Sequence, residues 1–242
     1  NHNLPRMDAI MPVARHMADA VRAELPGLRT PVLPIPISVT SFPPAPEDRD
    51  ALRARWSPDG RRVVASMTNL RYWQKAAPML DAAPALEEVL REHGLVWAIA
   101  GRGAFADQFF DELAKRCSPD LWVRAGFVSD PWSLLYAASA FLHISEMDGM
   151  PNVVIEAQSC GCPVIANDHP AMAELIRHGE TGLLVSDPAD AAGELDRLLR
   201  EASLHEHMAA KGLRYVREQH TDEAVGRMLL QALSEVKERF DG

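Results

Sequence analysis

The sequence predicts an α/β protein built on a doubly wound, Rossmann-like parallel sheet, and three observations lead there. Apolar runs of strand length recur at 62–67, 95–100, 121–127, 140–145 and 163–167. Segments of helical period lie between or after them, at 76–92, 104–116, 131–138, 152–160 and 171–177. The runs are nearly continuous rather than alternating, as expected of strands covered on both faces. Right-handed crossovers between such units produce an open sheet with helices on either side.

The bulk composition agrees. The 242 residues are 47% hydrophobic and 24% charged, enough apolar material for a substantial core. A net charge of −9 argues against a broad nucleic-acid footprint, which needs clustered Lys and Arg, but leaves room for a small anion in a locally positive pocket. Cys117, Cys160 and Cys162 are odd in number and fit neither a disulfide framework nor zinc spacing. The nine histidines form no metal-binding pattern, so no metal site is expected. No apolar run approaches the roughly 20 residues of a membrane span. A reducing, cytoplasmic setting fits these features.

Before the regular pattern, residues 8–14 read as a short strand and 15–25 as an amphipathic helix. Seven prolines between Pro26 and Pro46 then imply a stiff, extended connection, because each fixes φ and pushes its predecessor to extended forms. The chain starts Asn-His-Asn, so residues 1–31 read as the trailing strand and helix of a missing domain plus the start of a linker, and 32–242 as the main domain. Extra helices close the chain. Ser203 and Glu206 have the spacing of a capping box, and Thr221 followed by Asp222 and Glu223 suits a helix start.

In the usual strand order 3-2-1-4-5-6, ligands bind beyond the carboxyl ends of strands one and four. The loop after the first strand carries Asn69, Arg71 and Lys75; the loop after the fourth carries Asp148, Gly149, Met150, Pro151, Asn152 and Val153. Gly101 and Gly103 follow strand two. A basic loop and an acidic loop therefore face one crevice. Pro151 suits the first turn of a helix whose amides, around Asn152 and Val153, form an anion site. Lys75 adds a point charge for phosphate. Glu156, one turn along, suits vicinal hydroxyls, and Asp148 suits sugar hydroxyls or developing positive charge. Each feature alone has an ordinary reading: acids at this spacing are often solvated, Trp73 is as readily a lid as a base platform, and His143 in its apolar strand reads as a satisfied core histidine. Cys160 and Cys162 read as a packed turn.

The block "DGMPNVVIEAQSCGCPVIANDHPAMAELIRHGETGLLV" resembles the E-x7-E region of retaining nucleotide-sugar glycosyltransferases of the GT-B fold, group 1 (family 4). The resemblance rests on Asp148, Gly149, Met150, Pro151, Asn152, Glu156, Ala157, Cys160, Gly161, Pro163, Val164, Glu174 and residues 181–185. It implies the C-terminal, donor-binding half of a two-domain enzyme. Lys75 would match the family's diphosphate lysine, Glu156 the acid holding the donor ribose, and Asp148 the acid near the transferred sugar. The amides of residues 149–153 would cradle the diphosphate, and the backbone near Phe127 and Val128 would meet the base. No cofactor or metal is implied; the donor would be a UDP- or GDP-sugar. A sugar or lipid-linked acceptor, and any peripheral membrane contact, would come through the missing half, leaving this chain weak or inactive alone. Two departures stand out: Asp148 where the family has Glu, and Thr68-Asn69-Leu70 where it has Gly-Arg-Leu, with Asn69 or Arg71 in the arginine's place. A sugar-nucleotide epimerase and a non-catalytic binding module are the alternative readings.

Overall fold

Strand β1 (Arg62–Met67) is the centre of a six-stranded parallel sheet, in the order β3-β2-β1-β4-β5-β6. Its partners are β2 (Leu95–Ala100), β3 (Trp122–Gly126), β4 (Ala138–His143), β5 (Val164–Asn167) and β6 (Leu183–Val185). The computed structural model describes residues 7–28, 30–33, 35–39, 46–57 and 59–241. Side chains alternate across β1. Val63, Ala65 and Met67 join one core cluster, and Val64 joins the other. Ser66, buried among them, is satisfied: its hydroxyl donates to the Leu142 carbonyl at 2.7 Å and accepts from Trp97 Nε1 at 2.9 Å.

Helices cover both faces. On one lie α3 (Ala77–Glu92), α4 (Ala106–Leu113) and α8 (Ala191–Arg200), packing around Leu86, Phe109 and Leu195. On the other lie α5 (Pro131–Ala137), α6 (Asn152–Ser159) and α7 (Pro170–Leu175), with α2 (Arg49–Trp56) against them. Helix α1 (Arg15–Glu24) precedes this unit; α9 (Ala202–Gln219) and α10 (Asp222–Asp241) follow it. No helix of the described residues is long and apolar enough to cross a membrane.

Several expectations change. Residues 8–14 form no strand, only a single parallel bridge between Ile10 and Val32. Leu33 N donates to Ile10 O and Ile35 N to Pro12 O, but Pro12 has no N–H to return, so the ladder stops. The predicted linker is not extended throughout: it opens with a turn at 26–27, closed by Leu28 N donating to Leu25 O at 2.9 Å, and its described part otherwise carries no regular element beyond the Val32 bridge; its residues 29, 34 and 40–45 lie outside the described residues. The short α2 and β6, and α8, escaped the periodicity reading. The Ser203–Glu206 capping box does not form: α9 begins at Ala202 after Glu201 and carries no side-chain cap, which puts Ser203 inside the helix. Thr221 does cap, accepting from Ala224 N at 3.1 Å. Pro151 stands just outside α6, as its N-cap residue, with Asn152 first inside.

Candidate active site

The loops after β1, β2 and β4 converge on a cavity of about 590 Å³ at the carboxyl ends of the strands. Short-range chemistry fixes the two main loops. After β1 the chain makes a 3-10 turn over Trp73–Lys75, and Thr68 Oγ1 donates to the Lys75 carbonyl at 3.2 Å. After β4, Ser145 N donates to Asn167 Oδ1 and Asn167 Nδ2 to Ser145 O, both at 2.9 Å, pinning that loop to the end of β5. Glu146 N then donates to Gln74 O at 3.2 Å, so each loop holds the other.

This brings the expected opposite charges into contact. Lys75 Nζ lies 2.7 Å from Asp148 Oδ1. The other oxygen, Oδ2, is 3.0 Å from His143 Nε2 at the end of β4. The Asp148 side chain is only 5% exposed. Burial alone would raise its pKa, but the His143 hydrogen bond and charge, with bonds from Lys75 and Ser145, hold it far below the usual carboxylate range. Asp148 is therefore an anion that can only accept.

Asn69, Arg71, Lys75, Gly101, Phe127, Val128, Asp148, Gly149, Met150, Pro151, Asn152 and Val153 all line the cavity, so twelve of the predicted positions share one crevice. Asn69 Oδ1 accepts from Arg71 N at 3.1 Å, shaping the turn that carries Arg71. The first two amides of α6, those of Asn152 and Val153, have no carbonyl a turn behind them to bond, which leaves them available to an anion, whereas Val154 N already donates to Pro151 O at 3.1 Å.

Two predicted residues do not line it. A Cβ on Gly103 would overlap the backbone of Leu70 and Arg71, so this glycine lets the β2 loop press on the β1 loop rather than touching a ligand. Gly101 adds a similar close approach, to the Thr68 carbonyl. Glu156 sits a turn beyond the cavity lining, half-buried, its carboxyl raised by desolvation, and its carboxylate carries no hydrogen bond among the described residues. Trp73 does not line the cavity either; it meets Phe105 edge-on at 6.0 Å against the core.

Six further residues line the cavity, and two of them, His143 and Arg102, bring side-chain chemistry that sequence reasoning did not assign to the site. His143 lines the cavity as well as being satisfied; a polar side chain ending an otherwise apolar strand was the available signal. Arg102 lies 4.2 Å above the Phe127 ring, a pair of flat surfaces at the cavity wall. Phe127 is 63% exposed. The cysteines are inert: all three are free and buried, and burial pushes Cys117 up to about 11 and Cys160 up to about 12. Away from the crevice, at the amino ends of the strands, Glu92, His93 and Asp196 cluster, but Arg200 bonds both carboxylates.

The fold and the paired loops define a doubly wound, Rossmann-like α/β domain with its crevice at the carboxyl ends of the strands. Residues 48–214 match the model of the glycosyl transferases group 1 family, and the chain belongs to that family. It is 32% identical over 183 residues to a D-inositol 3-phosphate glycosyltransferase of Rhodococcus erythropolis, covering 70% of this chain and 41% of the relative. It is 33% identical over 169 residues to an N-acetyl-alpha-D-glucosaminyl L-malate synthase of Bacillus anthracis, covering 69% and 44%. Among solved structures, Anabaena HepE in complex with UDP superposes with a TM-score of 0.81 at 17% identity, covering 94% of this chain and 64% of that one. The chain thus spans less than half the length of these two curated relatives.

Proposed function

We propose that this chain binds a nucleoside-diphosphate sugar in the crevice and supplies the donor side of a retaining sugar transfer to an acceptor hydroxyl. The observation that carries the reading is Lys75 and the start of α6 lining one cavity. A diphosphate there would meet the Lys75 ammonium, the Arg71 guanidinium and the α6 amides, a charge complement that serves the leaving group without calling on a protein-bound metal. Asp148 would sit beside the transferred sugar. Glu156 is the ribose-binding acid in this reading, which requires the ribose to reach past the cavity lining towards its unbonded carboxylate.

In the transfer itself, the bond from the anomeric carbon to the diphosphate oxygen breaks. The acceptor oxygen bonds the same carbon on the same face, and its proton passes to the departing diphosphate. The acceptor would be held by a part of the protein beyond this chain, with which turnover would be far faster. UDP is the first donor nucleotide to try, since HepE has been solved with UDP and with UDP-glucose; GDP is the second.

A thermal-shift screen of nucleoside diphosphates and their sugars tests this. A ligand present at 100 times its Kd adds about 2.7 kcal/mol of stability, a readily visible rise in melting temperature. Expected is a rise with UDP or GDP and with a matching sugar nucleotide. Flat melting curves across the series at millimolar concentration would contradict it.

A further inference from the structure

The pairing of Lys75 with Asp148 poses a physical difficulty for the proposed function, on which this inference rests. A diphosphate must draw on the same ammonium that Asp148 already holds. Taking a partner from a carboxylate this buried is costly, because an unpaired buried charge is among the most destabilising arrangements in a protein. The structure holds an answer in the second oxygen. His143 closes β4, its side chain is 7% exposed, and Nε2 approaches Asp148 Oδ2 at 3.0 Å. The ring is stacked on Phe141, with centroids 6.1 Å apart and planes 17° apart, which fixes its direction. Since an ionised carboxylate only accepts, the proton of that contact lies on Nε2.

We infer that His143 is a positioning residue: it holds Asp148 by the second oxygen, so that the carboxylate stays in place and partnered while Lys75 shifts its contacts to a diphosphate. Ser145 assists from the same loop as a further hydrogen-bond partner of Asp148. Without His143, Asp148 would depend on Lys75 and compete harder with the ligand for it. The role is one of release rather than of contact with the reacting atoms, so its signature is in nucleotide affinity and runs through Lys75.

Calorimetric titration of UDP and GDP into the parent, His143→Phe and His143→Gln, each repeated with Lys75→Ala, tests it. For the nucleotide the parent binds, His143→Phe should weaken affinity about tenfold, a shift of one charge-assisted hydrogen bond. His143→Gln keeps an N–H at a similar reach and should stay within about threefold of the parent. In the Lys75→Ala background His143→Phe should cost nothing further, because coupled residues are not additive. Phe equal to parent, Gln as weak as Phe, or a Phe effect that survives Lys75→Ala would each overturn the role. A parent that binds neither nucleotide would overturn the nucleotide reading and this role with it. The contact itself is read without ligand from the His143 imidazole nitrogen shifts. They should change on Asp148→Ala; unchanged shifts would overturn the pairing while leaving the nucleotide reading intact.

Discussion

Asp148 and Glu174 are both poorly exposed acids held below the usual carboxylate range, and they are held by different kinds of partner. Glu174, on α7, accepts from the backbone amides of Arg15 at 2.8 Å and His16 at 2.7 Å, and from His16 Nδ1 at 2.6 Å. Burial would raise its pKa, and those amides and the His16 ring bring it down. It caps α1, a helix whose own N-cap, Ala14, offers no side-chain bond. Asp148 is held by side chains, Lys75 and His143, beside a cavity. Backbone amides at a helix start cannot be withdrawn without undoing the helix. A lysine side chain can swing. The difference teaches that a depressed carboxylate marks a candidate ligand site only where its partners are free to leave it.

Substitution should separate the two. The largest effect belongs to Asp148→Ala: under the proposed function, donor-sugar hydrolysis falls about 100-fold or more, the scale of losing a preorganised electrostatic contact. Nucleotide affinity should not fall, because Lys75 is released. A loss of affinity as large as the loss of turnover would show that Asp148 merely holds the pocket together. Next comes Glu174→Ala, which removes a cap and should cost about 1–2 kcal/mol. At this chain length that lowers the melting temperature by about 2–8 °C. Nucleotide binding should stay within about threefold of the parent; a larger change without a melting shift would erase the contrast between the acids.

Acid titration sharpens the comparison further. Because the folded pKa of Asp148 is lowered, its stabilisation is fully present above the unfolded value near 3.8 and is lost progressively as pH falls from there towards the folded pKa far below it. The melting-temperature gap between parent and Asp148→Asn should be wide at pH 6–7 and narrow towards pH 3. Glu174→Gln should behave with the same sign. Glu156 supplies the smallest effect, with the opposite sign. Burial raises its pKa from the ordinary 4.5, so ionising it is unfavourable in the folded chain. Glu156→Gln should raise the melting temperature slightly at pH 7, and the gain should vanish below about pH 4.5 as both forms become neutral.

Much of this was legible in the sequence, for physical reasons that can be named. Buried parallel strands must be apolar, so "LVWAIA" showed itself as β2, and the strand order then placed Lys75 opposite the Asp148 loop. What stayed hidden depended on contacts rather than patterns. The three residues of β6 are too few to show a period. Pro12 ended a ladder that the apolar run around it promised. Ser203 and Glu206 had the right spacing, but the helix, with Glu201 as its N-cap, began two residues too early for them to cap it. His143 reads as a core residue because it is one; only the fold back of the loop, five positions on, gives its ring an acid to hold. Glu174 was visible as part of a resembling motif, but its use as the cap of a helix 158 residues away was not.

The central claim is that Lys75 and the start of α6 together receive a diphosphate. Titrating UDP and GDP by calorimetry into the parent chain and into Lys75→Ala tests it most directly. The account predicts measurable binding of at least one nucleotide by the parent and a loss of about 100-fold or more on substitution, since one partly buried charge pair is removed. Equal affinities for the two proteins, or no heat from either nucleotide at millimolar concentration, would contradict it.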